Sequence, residues 1–174
     1  MTVPVFHDAN HLYRVIGEFM MIPARERTWE ELRSWWGSHP SYQEHGDELT
    51  QINRIGTDIS RSGIAVVFAI TQPEAMISID AKRTKETEKY TVLLGEEIAR
   101  PDIRIETSGD VAHQFWGGNI QLPFALLTGK MKAKGSKMKA LQLVPRIVPA
   151  FPLYWRYLEL IGEQDLLRAL QTRR

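Results

Sequence analysis

Phe124-Ala125-Leu126-Leu127-Thr128-Gly129-Lys130-Met131-Lys132-Ala133-Lys134-Gly135-Ser136 changes its periodicity twice in thirteen residues. Phe124 and Leu127, with Leu126 beside them, are spaced as on a short helix. Gly129 supplies the stop that a helix end favours. From Lys130 to Lys134 charge and apolarity alternate, which is the two-residue period of a strand, with Met131 and Ala133 on one face. Lysines along such a strand discourage further pairing and mark an edge. Ser136 is a helix-capping residue, and Met138, Leu141 and Val144 then recur at helical spacing. The stretch therefore predicts a short edge strand held between two helices.

Upstream, the pattern predicts four more strands. Ile64–Thr71 is apolar on both faces, as in a buried strand, and Gln72-Pro73 is a turn signal. Ala75–Arg83, Glu88–Leu94 and Ile103–Thr107 alternate in the manner of strands with one wetter face. The short connections between them predict an antiparallel meander. Before these strands, Leu12, Val15, Ile16, Phe19 and Met20 recur at helical spacing up to Pro23. Thr28 and Glu31 form a capping-box pair that opens a helix carrying Trp29, Leu32 and Trp36. Leu49, Ile52, Ile55 and Ile59 mark another helix, closed near Gly63. After the strands, Ser108 or Asp110 can cap a segment with Val111, Phe115 and Trp116, which Gly117-Gly118 breaks. Pro145, Pro149 and Pro152 predict a stiff crossing segment, with a final helix from about Leu153. Helices packed on a largely antiparallel sheet make the class α+β.

The 174 residues suit one folded unit, and the 43% hydrophobic and 25% charged content excludes wholesale disorder. Zero cysteines excludes disulfides, thiolate metal sites and a cysteine nucleophile. No Walker loop, dinucleotide glycine fingerprint or serine elbow is present. His7 and His11 read as exposed residues of a frayed end, and His113 as a satisfied, partly buried core histidine. Neither a metal site nor a cofactor is expected, and the chain is not expected to be an enzyme. The net charge of +1 hides an asymmetry: Val111 to Leu158 holds seven basic residues and no acidic one. Five of them are Lys130, Lys132, Lys134, Lys137 and Lys139, which suit a transient contact with an anionic membrane surface or a phosphate. Nucleic acid is not expected as a partner, because the nearby aromatic residues lie on apolar helical faces and are not interleaved for base stacking.

Residues 124–136, with the strand run from Ile64 to Thr107 and the helix at Gly109–Trp116, resemble the signature of the sterol carrier protein type two family. The resemblance extends from about Glu48 to Val144. It implies a five-stranded, mostly antiparallel sheet covered by helices, with an apolar tunnel between them. It also implies an intracellular lipid-binding or lipid-transfer protein, holding a fatty acid, fatty acyl-CoA, phospholipid or sterol-like ligand. On this reading residues 46–144 are the lipid-binding core, 1–45 a Trp-rich helical arm, and 145–174 a Pro-rich crossing with a C-terminal helix. Phe68, Ile70, Phe115, Trp116, Phe124, Leu127, Met131, Met138 and Leu141 are the candidate ligand-binding residues. The arm and the extension would roof the tunnel or make a homodimer contact. The beginning, Met1-Thr2-Val3-Pro4, lacks a secretory pattern, and Thr172-Arg173-Arg174 is not the peroxisomal ending of some members, so a cytoplasmic location is expected. The rival reading is a non-catalytic helper domain that binds an apolar segment of a partner protein.

Overall fold

The computed structural model describes residues 3–82 and 84–172. Met1, Thr2, Arg83, Arg173 and Arg174 lie outside them, and with them the start Met1-Thr2, the expected strand end at Arg83 and the ending Arg173-Arg174. Five strands form one sheet: β1 (Ala65–Thr71), β2 (Ala75–Asp80), β3 (Thr91–Leu94), β4 (Ile103–Ser108) and β5 (Met131–Gly135). Their spatial order is β3-β2-β1-β4-β5. All pairs are antiparallel except β1 with β4, which run parallel. The simple meander is thereby corrected: after β3 the chain does not turn back beside it. The connection crosses the sheet instead, with Ser78 donating to the Glu96 carbonyl at 2.7 Å and Arg104 pairing with Glu97. It delivers β4 to the free edge of β1. The physical reason lies in β1 itself. Its Ala-Val-Val-Phe-Ala-Ile run is nearly all buried, and such a strand is stable only with neighbours on both sides. Asp102 fixes the junction, since its amide donates to the Ala65 carbonyl and its carboxylate accepts from the Ala65 amide, at 2.8 and 2.9 Å.

The helices are α1 (Ala9–Leu12), a π-turn at Tyr13–Gly17, α2 (Glu18–Met21), a 3-10 turn at Ile22–Ala24, α3 (Trp29–Trp36) and α4 (Gly46–Ser62) before the sheet. Then follow α5 (Gly109–Trp116), α6 (Leu122–Thr128), α7 (Lys137–Ile147), α8 (Ala150–Leu160) and α9 (Gln164–Gln171). The capping box at Thr28–Glu31 is formed, and Ser108 and Ser136 cap α5 and α7 with their side chains. Gly129 ends α6 in the left-handed region at φ 77°, which a glycine adopts without penalty. Gly135 is required more strictly. It has φ 107°, and a Cβ there would stand 2.5 Å from the Asp102 carbonyl oxygen. The expected stiff crossing is replaced by helix. Pro145 lies inside α7, while Pro152 falls in the first turn of α8, where the missing N–H costs nothing. The C-terminal helix is also two helices, parted at Gly162, whose φ is 78°.

One apolar core joins the whole. Phe6, Leu12, Ile16 and Phe19 from the first segment pack with Val66, Phe68 and Ile103 of the sheet and with Leu158, Leu166 and Leu170 of the last helices. Polar anchors set the angles: Tyr90 donates to the Met20 carbonyl at 2.5 Å, and Tyr157 to the Arg14 carbonyl at 3.0 Å. Trp155 donates to the Gly117 carbonyl at 2.7 Å. His11 is not a frayed terminal side chain. It is buried and its Nε2 meets Glu163 at 3.0 Å, tying the first helix to the α8–α9 turn. Among the described residues no helix is long and apolar enough to cross a membrane.

Candidate functional site

The helices cover the face of the sheet that carries Val66, Phe68, Ile79, Ile103, Ile105 and Met131, as the strand alternation and register dictate. A series of apolar voids with shared walls starts among the helices and reaches the sheet only at its inner end. It begins in an open cleft of about 380 Å³ where α2, α3 and α8 meet, lined by Glu18, Met21, Ile22, Arg27, Trp35, Trp36, Tyr157 and Ile161. Ile22, Trp36 and Tyr157 also line a second void of about 30 Å³, which reaches Ile52 and Ile55 of α4. Phe19, Pro23, Ile55 and Ala150 separate that from a third, again about 30 Å³, bounded by Phe68, Ile79, Tyr90 and Trp116. Phe68, Leu143 and Ile147 then bound a fourth of about 20 Å³ beside Phe115, Leu122 and Met131. The series thus runs from the solvent-facing cleft to the underside of α6 and α7. The cleft lies within the common size range of ligand pockets, whereas each inner void holds no more than about one water.

The cleft has a polar rim on an aromatic wall. Arg27 lies over the Trp35 ring at 5.0 Å and donates to the Met21 and Ile22 carbonyls at 3.0 and 2.7 Å, and to Glu31 at 3.1 Å. Glu18 supplies the opposite charge. Trp36 stands edge-on to Trp35 and to Tyr157, with centroids 5.4 and 6.0 Å apart. Arg156 and Glu48 border the second void as an ion pair with Nε and Oε2 2.5 Å apart, without the alignment of a hydrogen bond.

The candidate residues divide. Phe68, Phe115, Trp116 and Met131 are buried and line the inner voids, and Ile70 is buried further along β1 but borders none of the inner three. Phe124, Leu127, Met138 and Leu141 are not brought to these voids. They face solvent, being 52%, 86%, 66% and 43% exposed. The reason is that α6 and α7 each carry two apolar stripes. Leu122 and Ala125 turn inward from α6, and Ala140, Leu143 and Ile147 from α7. Only one stripe of each helix can meet the sheet, and the one with Ala125 or Ala140 in it does, which leaves the other in solvent. Sequence reasoning missed Phe19, Ile55, Tyr157, Ile147 and Ala150. For Phe19, Ile55 and Tyr157 the signal was helical spacing, which marked a core but not a cavity; nothing marked Ile147 and Ala150.

The lysines divide as well. Lys134 reaches Glu106 at 3.2 Å, and Lys139 reaches Asp102 at 2.8 Å. The β4–β5 register sets Lys132 opposite Glu106 and Lys134 opposite Arg104, on the sheet face away from the helices. Lys130 lies over the Phe124 ring at 5.7 Å, and Lys137 opens α7. Neither Lys130 nor Lys137 meets a carboxylate among the described residues. The expected five-lysine surface is therefore broken into a sheet-face pair, a structural lysine and two lysines beside exposed apolar groups. Burial opposes ionisation of Asp102, but hydrogen bonds from Lys139, Lys82 and the Ala65 amide outweigh it and hold its carboxyl down at about 2.

His113 is fully buried, with Nδ1 2.8 Å from the Tyr154 hydroxyl and Nε2 2.8 Å from the Leu166 carbonyl oxygen. Because a carbonyl only accepts, Nε2 carries the proton and Nδ1 accepts from Tyr154. Burial lowers the imidazole pKa to about 4. Its polar atoms are all engaged, so His113 holds α5 to α8 and α9. Gln114 and Asn119 complete that bond by donating to the Ala169 and Leu170 carbonyls at 3.0 and 2.9 Å. Among the described residues no group of three or more His, Asp or Glu is placed to hold a metal ion.

No family model matches the chain, and no curated protein does. Solved structures similar to it include apo sterol carrier protein 2 from Yarrowia lipolytica, at 22% identity and TM-score 0.46, covering 60% of this chain and 81% of that one. The sterol carrier protein domain 2 of Helicoverpa armigera is 17% identical with TM-score 0.44, covering 80% of this chain and 89% of that one. An inverting sec-alkylsulfatase from Pseudomonas is 17% identical with TM-score 0.44, and the match covers 60% of this chain but 18% of the enzyme. Likenesses of this degree concern the path of the chain and say nothing of what it binds. Two of the three are sterol carrier protein 2 structures, the family that residues 124–136 resemble.

Proposed function

We propose that this chain binds an amphipathic lipid with a single apolar tail, such as a fatty acid or fatty acyl group, and carries it without transforming it. The observation that supports this reading is the series of voids with shared apolar walls behind an open cleft. The polar end stays at the rim, between Arg27 and Glu18, and the tail lies against Trp36, Ile22 and Tyr157. The inner voids are too small to take a tail as they stand, so deeper entry requires side chains at the shared walls to move. Those walls are Ile22, Trp36 and Tyr157, then Phe19, Pro23, Ile55 and Ala150, then Phe68, Leu143 and Ile147. A twelve-carbon tail contributes roughly 10 kcal/mol gross before ordering costs, at about 0.8 kcal/mol per methylene, so no reactive group is needed.

Native mass spectrometry of the purified protein, followed by solvent extraction, should find lipid bound one to one. A fluorescent fatty acid should bind the wild type, and Ile161→Trp, which fills the cleft, should weaken it roughly tenfold. Phe124→Asp should leave that affinity unchanged, because its ring faces solvent. Equal affinity of Ile161→Trp and wild type, with no lipid extracted, would overturn the reading and favour a helper domain that takes a protein segment.

A further inference from the structure

The outer face of α6 and α7 is not explained by an interior site. α6 reads Leu-Pro-Phe-Ala-Leu-Leu-Thr and carries no charged residue, although Phe124 and Leu127 stand in solvent. Met138 and Leu141 are likewise exposed on α7, which touches α6, so four large apolar side chains stand in solvent on two neighbouring helices. Such a concentration on a folded surface marks a contact. Its shape selects the partner. The side chains protrude, whereas a groove would be needed to seat a peptide helix. Its charge selects further. Lys130, packed over Phe124, and Lys137, beside Met138, are the cations here, and the whole stretch from Val111 to Leu158 contains no acid. Protruding apolar groups with a cationic border match the interface of a bilayer that holds anionic lipid.

We infer that α6 and α7 form a membrane-docking ridge: Phe124, Leu127, Met138 and Leu141 enter the interfacial region of an anionic bilayer while Lys130 and Lys137 pair with its headgroups. The inner faces of these helices line the innermost void through Leu122, Ala140, Leu143 and Ile147. Docking would set the wall of that void against the lipid. The inference does not depend on a ligand being held inside, and its test uses none.

The test is co-sedimentation of the full chain with phosphatidylcholine vesicles and with vesicles containing phosphatidylglycerol, at low and high salt. Wild type should bind the anionic vesicles, more weakly at high salt, and the neutral ones poorly. Phe124→Ser with Leu127→Ser should weaken anionic binding by roughly tenfold or more. Lys130→Glu with Lys137→Glu should weaken it by about tenfold and remove most of the salt dependence. Lys132→Glu with Lys134→Glu, on the other sheet face, should change it much less. Circular dichroism checks that each variant is folded. Absence of wild-type binding to anionic vesicles overturns the ridge and leaves the interior reading standing. So does a ridge variant that binds like wild type. A wild-type dimer in sedimentation velocity that the serine pair dissolves, with no vesicle binding, assigns the ridge to a second copy and also overturns it.

Discussion

Between Phe115 and Leu141 the chain builds two apolar clusters from the same kinds of residue, one hidden and one bare. Phe115, Trp116 and Met131 are almost wholly buried against Phe68, whereas Phe124, Leu127, Met138 and Leu141 face solvent. Hydrophobicity does not separate them. What separates them is which stripe of each helix meets the sheet. In α6 and α7 the inward stripes contain Ala125 and Ala140, and close approach over an alanine buries more of the neighbouring Leu122, Leu143 and Ile147 than a bulky contact would. The outer stripes carry Phe124, Leu127, Met138 and Leu141, each at least 43% exposed.

This contrast is testable through stability alone. Trp116→Ala, in the hidden cluster, should cost about 3–5 kcal/mol in urea or thermal unfolding, through lost burial and a cavity. Leu127→Ala should stay within about 0.5 kcal/mol of wild type. Comparable losses would mean that the two clusters do not differ as described.

The next effect sharpens the hidden side. His113 is held neutral, with its folded pKa lowered to about 4 from 6.5 by burial. Between those values the unfolded chain binds the proton and the folded one does not. Stability should therefore fall as the pH drops from about 6.5 to about 4, and level off below. The full loss is of order 3 kcal/mol. Asp110 and Glu163 oppose the shift, and the Leu166 carbonyl opposes it more. The slope should vanish from urea titrations of a folded His113→Gln variant.

The smallest effect concerns the border between the clusters, where Lys139 of α7 leaves the ridge and turns to Asp102. Asp102→Asn should cost about 1–3 kcal/mol, since Lys82 and Lys139 lose their shared partner. The folded carboxyl titrates at about 2, below its ordinary 3.8. Its contribution is present above about pH 3.8 and is lost as the pH falls through about 2, so at pH 2 the variant and the wild type should converge. An unchanged difference at acid pH would remove Asp102 as the electrostatic tie.

Much of the secondary structure was legible because its causes are local. The alternation of Met131 and Ala133, the stop at Gly129, the cap at Ser136 and the capping box at Thr28–Glu31 all appear where the residues place them. The candidate site was half legible. Phe68, Phe115, Trp116 and Met131 sit on elements with a single apolar face, or wholly buried, so periodicity pointed inward correctly. Met138 and Leu141 belong to a helix with two apolar stripes, and periodicity has no means of ranking them. The cleft at Trp36 and Tyr157 joins residues more than a hundred positions apart, and no local pattern announces it.

The sequence by itself determined the type and order of most helices and strands, that the class is α+β, and that one stretch is basic without acidic relief. Those follow from dihedral preference, capping and repeat period within a few residues of chain. The ends of β2 and β3 and the helices around Pro145–Pro152 and Gly162 fall elsewhere than their local pattern placed them. Only the tertiary structure decided that β4 runs parallel beside β1, that His11 is buried on Glu163, that Lys134 and Lys139 are paired with acids from the sheet, and that Phe124 and Leu127 stay outside. Each depends on a partner distant in the chain, because burial and ion pairing are settled by which surfaces meet.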